Sequence, residues 1–124
     1  MKVLLSIKPE YAEKILDGRK RFEFRKALPK AHGVTTVVIY ATMPVGKIVG
    51  EFEVERCISH RPKDLWAMTS EYSGITKSFF NSYFKGRDTA HAFKVKSAKR
   101  YDSPLSLTEL IGTTAAPQSF RYLS

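Results

Sequence analysis

The sequence predicts a mixed α+β domain, a small and mostly antiparallel β-barrel of five to six strands with short helices inserted between them. Three observations carry that reading. The chain has 124 residues, the size of one ordinary domain spanning 1–124, and its 43% hydrophobic and 27% charged content is that of a globular protein. Short β-branched or alternating segments recur along it, separated by turn residues. Helical segments interrupt them without regular β-α-β alternation, which argues against a doubly wound parallel sheet.

Each element has its own justification. VLLSI (3–7) is a first strand. Pro9 suits the first turn of a helix, where its missing N–H has no partner to lose. That helix runs through EYAEKILD with Ala12, Ile15 and Leu16 on one face, and Gly18 ends it. The strand RFEFR follows, with Phe22 and Phe24 on one face and Arg21, Glu23 and Arg25 on the other. VTTVVIYAT (34–42) is apolar on both faces, as in a strand covered on both sides. KIVGEFEVERCI (47–58) alternates, sending Ile48, Phe52 and Val54 to the core and Glu51, Glu53 and Glu55 outward. Gly50 falls on the inward face, which marks a bend, a bulge or a close approach.

Pro62 opens a helix over 62–72, and Thr76 caps a second over 76–86 that Gly86 ends. Phe79, Phe80, Tyr83 and Phe84 form an aromatic stripe at helical spacing, read as core packing in preference to a base-stacking platform. HAFKVKSAKRY (91–101) alternates again, with Phe93 and Val95 inward and Lys94 and Lys96 outward. Ser106-Leu-Thr-Glu109 fits a capping box, and PQSFRYLS (117–124) is a closing strand. Phe22, Phe24, Phe52, Val54 and Phe93 are expected to share one core.

Composition narrows the function. No run approaches 18 apolar residues, and the apolar start is too short for a signal-peptide core, so a cytoplasmic location is expected and no membrane partner. Cys57 stands alone, and His32, His60 and His91 fit no metal-binding spacing, so neither a metal nor a cofactor is expected. The net charge of +9 points to a polyanionic partner, nucleic acid first. Two basic runs stand out: Arg19, Lys20, Arg21, Arg25 and Lys26, then Lys94, Lys96, Lys99 and Arg100. The acidic ladder Glu51/Glu53/Glu55 can pair across strands with Lys94 and Lys96, so net charge alone is not a map of a site.

A lysine near a carboxylate can do acid–base work if burial lowers its pKa. Ideal strand alternation puts Lys20 and Glu23 on opposite faces. They converge only if Lys20 lies in the turn after Gly18, or if a bulge rotates it.

Gly18-Arg-Lys20-Arg-Phe-Glu23-Phe-Arg25 resembles the G-x-K-x-x-E-x-R signature of the ASCH domain family. The context agrees: an opening strand plus SIKP, a short helix into the signature, Tyr40-Ala-Thr-Met-Pro44, and the closing QSFRY. The resemblance implies a PUA-like barrel with a cleft beside the signature strand and a role in binding RNA or a nucleotide. The signature residues carry over as Gly18, Lys20, Glu23 and Arg25, with Glu23 holding Arg25 in orientation. Around them, Lys8, Lys20, Arg21, Arg25 and Arg121 are candidate phosphate contacts, and Tyr40 or Tyr72 is a candidate base-stacking ring. An alternative is a small hydrolase in which Lys20 and Glu23 are catalytic. One family branch hydrolyses acetylated cytidine with a lysine, a threonine and a later glutamate; here Lys20 matches, Glu23 replaces the threonine, and Glu71 lies near the third position. Other members are linked to RNA cleavage, for which Tyr40 or Ser119 could supply a hydroxyl.

Overall fold

A computed structural model describes residues 1–30 and 33–123. The strands are β1 (Lys2–Ile7), β2 (Phe22–Arg25), β3 (Thr36–Ala41), β4 (Lys47–His60), β5 (Ala90–Leu105) and β6 (Phe120–Leu123). The helices are α1 (Pro9–Leu16), α2 (Pro62–Thr69), α3 (Lys77–Tyr83) and α4 (Leu107–Ile111), with a 3-10 turn at Ser70–Tyr72 after α2. Thus α2 stops three residues before the sequence expectation, with the Thr69 hydroxyl donating to the Leu65 carbonyl in its last turn. Both expected N-terminal caps form: Thr76 accepts from the Phe79 amide, and Ser106 and Glu109 make a reciprocal capping box.

All six strands form one sheet in the order β2-β5-β4-β3-β1-β6. Its neighbours are antiparallel except β1 and β3, which run parallel and are linked through α1 and β2. The sheet curls into a half-barrel of PUA-like form with β2 and β6 as its edges, more open than the barrel the sequence suggested.

Three apolar clusters cover the sheet. The central one joins Val3, Leu5, Ile7, Val37, Ile39, Phe52 and Phe93 to Ala12 and Ile15 of α1. The second places Phe22, Phe24, Ile58 and Ala92 against Leu65 of α2, Phe80 of α3 and Phe84, which caps the C-terminus of α3. The third gathers Leu4, Val38, Tyr40 and Ile48 around Leu107 of α4.

This corrects the expected shared core. Glu23, not Phe22 or Phe24, is the register partner of Phe93, so the carboxylate lies on the central-cluster face. The two phenylalanines point the opposite way and are covered by α2 and α3. Both faces of β2 are therefore buried, with Phe22, Glu23 and Phe24 at 8%, 6% and 6% exposure. Val54 is half-buried against the central cluster, with Phe52 and Phe93.

Ile48 also leaves the side on which alternation put it. The β4–β5 register slips between Ile48 and Gly50, and the β3–β4 register slips beside Tyr40. One extra residue moves a side chain to the other face, so Ile48 packs with Tyr40 and Phe52 with Phe93. Gly50 sits beside that bulge, where a Cβ would collide with the Lys99 carbonyl and with Leu16 of α1.

Candidate functional site

Gly18, at φ +86°, ends α1 in a conformation that side chains disfavour. The chain then folds back: the Lys20 amide donates to the Lys14 carbonyl at 2.9 Å, and the Arg21 amide to the Tyr72 carbonyl at 2.9 Å. Pairing with β5 starts only where the Val95 amide reaches the Arg21 carbonyl at 2.9 Å. Lys20 therefore lies in the turn, which is the condition under which it and Glu23 can share a site.

The lysine is buried to 1% exposure. Its Nζ donates to the Ser73 carbonyl at 2.6 Å and lies 4.8 Å from the ring centre of Phe24 and 5.4 Å from that of Tyr11. Gly74 packs on its aliphatic stem so tightly that a Cβ there would come within 2.5 Å of the Lys20 Cβ. Loss of hydration pushes the amine down to about 8; the Glu23 carboxylate opposes that shift and the Lys14 ammonium adds to it.

Lys20, Glu23 and Arg25 line a cleft of about 250 Å³, together with Ser6, Ile7 and Lys8, Tyr11 of α1, Phe24, Ile75, Phe79 and Tyr83 of α3, and Gln118. Glu23 is buried and accepts from Arg25 Nη1 at 3.3 Å. The same nitrogen donates to the Ser6 carbonyl at 3.4 Å, and Nη2 to the Ser119 carbonyl at 2.9 Å. One guanidinium thus ties the β2 edge to β1 and to the segment that leads into β6, across the opening of the half-barrel.

Other sequence candidates are distributed differently. Lys8 is exposed at the cleft rim, its ammonium 5.1 Å from the ring centre of Phe79. Arg21 is exposed outside the cleft and stacks at 4.2 Å over Tyr72, and neither Arg21 nor Tyr72 lines the cleft. Tyr40 is buried in the cluster under α4, away from the cleft. Ser119 contributes its carbonyl to Arg25, while Arg121 is exposed on β6 as the register partner of Leu4. Glu71 is exposed on the 3-10 turn and does not line the cleft.

The aromatic stripe divides. Phe80 and Phe84 are core, but Phe79 and Tyr83 are half-buried and form a cleft wall, stacked at 6.0 Å with a 12° interplanar angle. Their i, i+4 spacing, one position before Phe80 and Phe84, was the signal for a second face. Tyr11, Ser73 and Gly74 carried no such signal, because only the tertiary fold brings them to Lys20.

Some of the remaining basic charge is paired. Arg19 meets Asp17 at 2.7 Å, Lys94 meets Glu55 at 2.8 Å, and Arg100 makes two bonds to Glu13 at 2.6 and 3.0 Å. The expected cross-strand pairing thus forms at Glu55, whereas Glu51 is held by Lys2 at 3.5 Å and by the Tyr101 hydroxyl at 2.7 Å. Among the described residues no group of three or more His, Cys, Asp or Glu side chains could hold a metal ion; His32 lies outside them. Among the described residues no helix is long and apolar enough to cross a membrane.

Residues 5–102 match the model of the ASCH domain. An ASCH domain-containing ribonuclease of Zymomonas mobilis is 28% identical over 97% of this chain and 82% of its own length. The crystal structure of ASCH from Zymomonas mobilis superimposes with a TM-score of 0.91 at 27% identity, covering 99% of this chain and 87% of that one. A Ureaplasma parvum protein named large ribosomal subunit protein uL22 is 34% identical over 98% of the chain, which spans only 39% of that relative. The family match covers most of the sequence, a span that includes the cleft residues Lys20, Glu23 and Arg25, and places this chain in the ASCH domain family.

Proposed function

We propose that the chain binds single-stranded RNA with one nucleotide seated in the cleft, and that it cleaves the strand there. Lys20 carries the reading: an amine at 1% exposure in a cleft wall, with its pKa pushed down to about 8, is partly neutral near physiological pH and able to take a proton. The Zymomonas relative named a ribonuclease supports the same chemistry.

In this reading neutral Lys20 accepts the proton of a ribose 2′-hydroxyl as its oxygen attacks the adjacent phosphorus. The bond from phosphorus to the 5′ oxygen breaks, solvent protonates the leaving oxygen, and the products are a 2′,3′-cyclic phosphate and a 5′-hydroxyl. Tyr11, Phe79 and Tyr83 offer ring faces to a base, and Lys8 at the rim offers charge to a phosphate. Glu23 holds Arg25 in place and keeps a negative charge near Lys20.

Hydrolysis of an acylated nucleoside has weaker support. Glu23 replaces the threonine hydroxyl of that branch, and Glu71 lies outside the cleft lining. Incubation of the protein with a short RNA and, separately, with acetylated cytidine tests both readings by chromatography of the products. The expected result is a cyclic phosphate from RNA, lost in Lys20→Ala while the circular dichroism spectrum is kept. RNA cleavage that survives Lys20→Ala but is lost in Tyr40→Phe or Ser119→Ala would move the centre to the β3–β6 side and overturn the role of Lys20.

A further inference from the structure

A second groove, of about 600 Å³, lies on the other side of the turn that carries Lys20. Its lining includes Leu16 of α1, Lys20 and Arg21 of the turn, and Lys94, Lys96 and Ser97 of β5. The groove follows from the strand lengths. β2 has 4 residues and β5 has 16, so past Val95 the edge of β5 has no strand partner on the β2 side. The turn pulls away toward α1 at the same point, because the Lys20 amide donates to the Lys14 carbonyl. A trough is left between them, with the carboxylates Asp17 and Glu55 beside its cations, the first paired with Arg19 and the second with Lys94.

We propose that this groove is a second nucleotide subsite, so that the RNA strand crosses the Gly18–Arg21 turn and its next phosphate is received by Arg21 and Lys96. The inference rests on the proposed RNA reading and adds where the rest of the strand lies. Lys20 is common to the linings of both spaces and marks the boundary between them. The susceptible phosphodiester then spans the two subsites, one nucleotide on each side. Charge supports the direction: Lys94 is neutralised by Glu55 at 2.8 Å, whereas neither Arg21 nor Lys96 has an acidic partner within ion-pair distance among the described residues. Arg21 is held instead over the ring of Tyr72, a contact that leaves its charge available to a phosphate.

Fluorescence anisotropy with a labelled mononucleotide and with labelled RNA of two to six nucleotides tests the groove. The wild-type protein is expected to gain affinity as the strand lengthens beyond one nucleotide. Arg21→Ala/Lys96→Ala should bind the mononucleotide as before and lose that gain. Its slope of log K against log salt on the hexamer should flatten by about 0.7 for each phosphate contact removed. Glu55→Gln, which frees Lys94 on the same rim, should tighten the hexamer more than Glu53→Gln, the same charge change outside the groove lining. Unchanged length dependence in the double variant, with RNA cleavage still lost in Lys20→Ala, would overturn the groove and leave the cleft reading intact. Failure of the wild-type protein to bind RNA of any length would overturn both, and equal effects of the two glutamate variants would reduce the rim to generic charge.

Discussion

At pH 7 the ammonium of Lys20 is enclosed by Ser73, Gly74 and two aromatic rings, and much of its lost hydration has no replacement. Its pKa of about 8 when folded lies below the 10.5 of a free lysine. Between those two values the unfolded chain binds more protons, so stability rises with pH in that window. Below pH 8 the full cost is present, roughly 3 kcal/mol at about 1.4 kcal/mol per pH unit. Lys20→Met is therefore expected to raise stability to urea at pH 7 by about 1–2 kcal/mol, the loss of the bond to Ser73 offsetting part of the gain. The gain should shrink as the pH approaches 10, and cleavage should be absent throughout; a variant less stable than wild type at pH 7 would contradict the assignment.

The same residue sets a pH dependence for the proposed reaction. If neutral Lys20 is the base, the rate should rise with pH and level off above about 8. Glu23 works against the burial effect, so Glu23→Gln should move that inflection to lower pH. It should also weaken RNA binding despite raising the net charge, because Arg25 loses its partner. Initial rates and anisotropy measured from pH 5.5 to 9.5, a range chosen on the basis of the shifted amine, read both effects. An unmoved inflection with tighter binding would return Glu23 to a passive role. That this carboxylate is buried at all was not legible in the strand pattern. Alternation assigned it to an outer face, and only the register with Phe93 shows that face to be covered.

Among the elements, β2 depends on its last residue. Four residues make a short strand, and Arg25 adds the contacts to Ser6 and Ser119 that no backbone ladder supplies. A lysine cannot reproduce the two-nitrogen fork. Arg25→Lys should lower stability by about 1–3 kcal/mol and speed amide hydrogen exchange in β6 more than in β4, as measured by mass spectrometry. Equal exchange in both strands would show that the guanidinium does not join the two edges. The helix starts were readable because local chemistry fixes them: Pro9, Thr76 and the Ser106–Glu109 box start helices where expected, whereas α2 and α3 each end three residues early. The face of Ile48 was not readable, because a bulge beside Gly50 breaks the period on which the inference depended. Nor was the division of the α3 stripe, since four adjacent aromatics fit one wide apolar face as well as two narrow ones.

For the whole molecule, the net charge of +9 sets the sign of the field but not which cations touch a strand, and ion pairs hold Arg19, Lys94 and Arg100 against carboxylates. With Lys8, Arg21 and Lys96 as phosphate contacts, the salt slope on a short single strand should be near −2, at about 0.7 per contact. A slope near −5 in a titration from low to moderate salt would mean that cations beyond these three also bind. Composition indicates the sign of the partner, and the number of cations that face the strand decides the slope.

The pairing of β1 with β6 sets Lys2 directly beside Leu123, so the path of the chain closes on itself at one edge of the sheet. A unit whose two ends emerge together can be spliced into a host protein at a single surface loop, with no stretching of either partner. That geometry suits a sequence whose counterpart fills 39% of a much longer Ureaplasma chain. It also makes the domain a candidate for circular permutation. Joining the ends with a short Gly/Ser linker and reopening the chain between Lys85 and Asp88, an exposed turn after α3, should give a protein with the same far-ultraviolet circular dichroism and a cooperative unfolding transition. A permutant that fails to fold would show that β1 must be free at its start to take its place between β3 and β6.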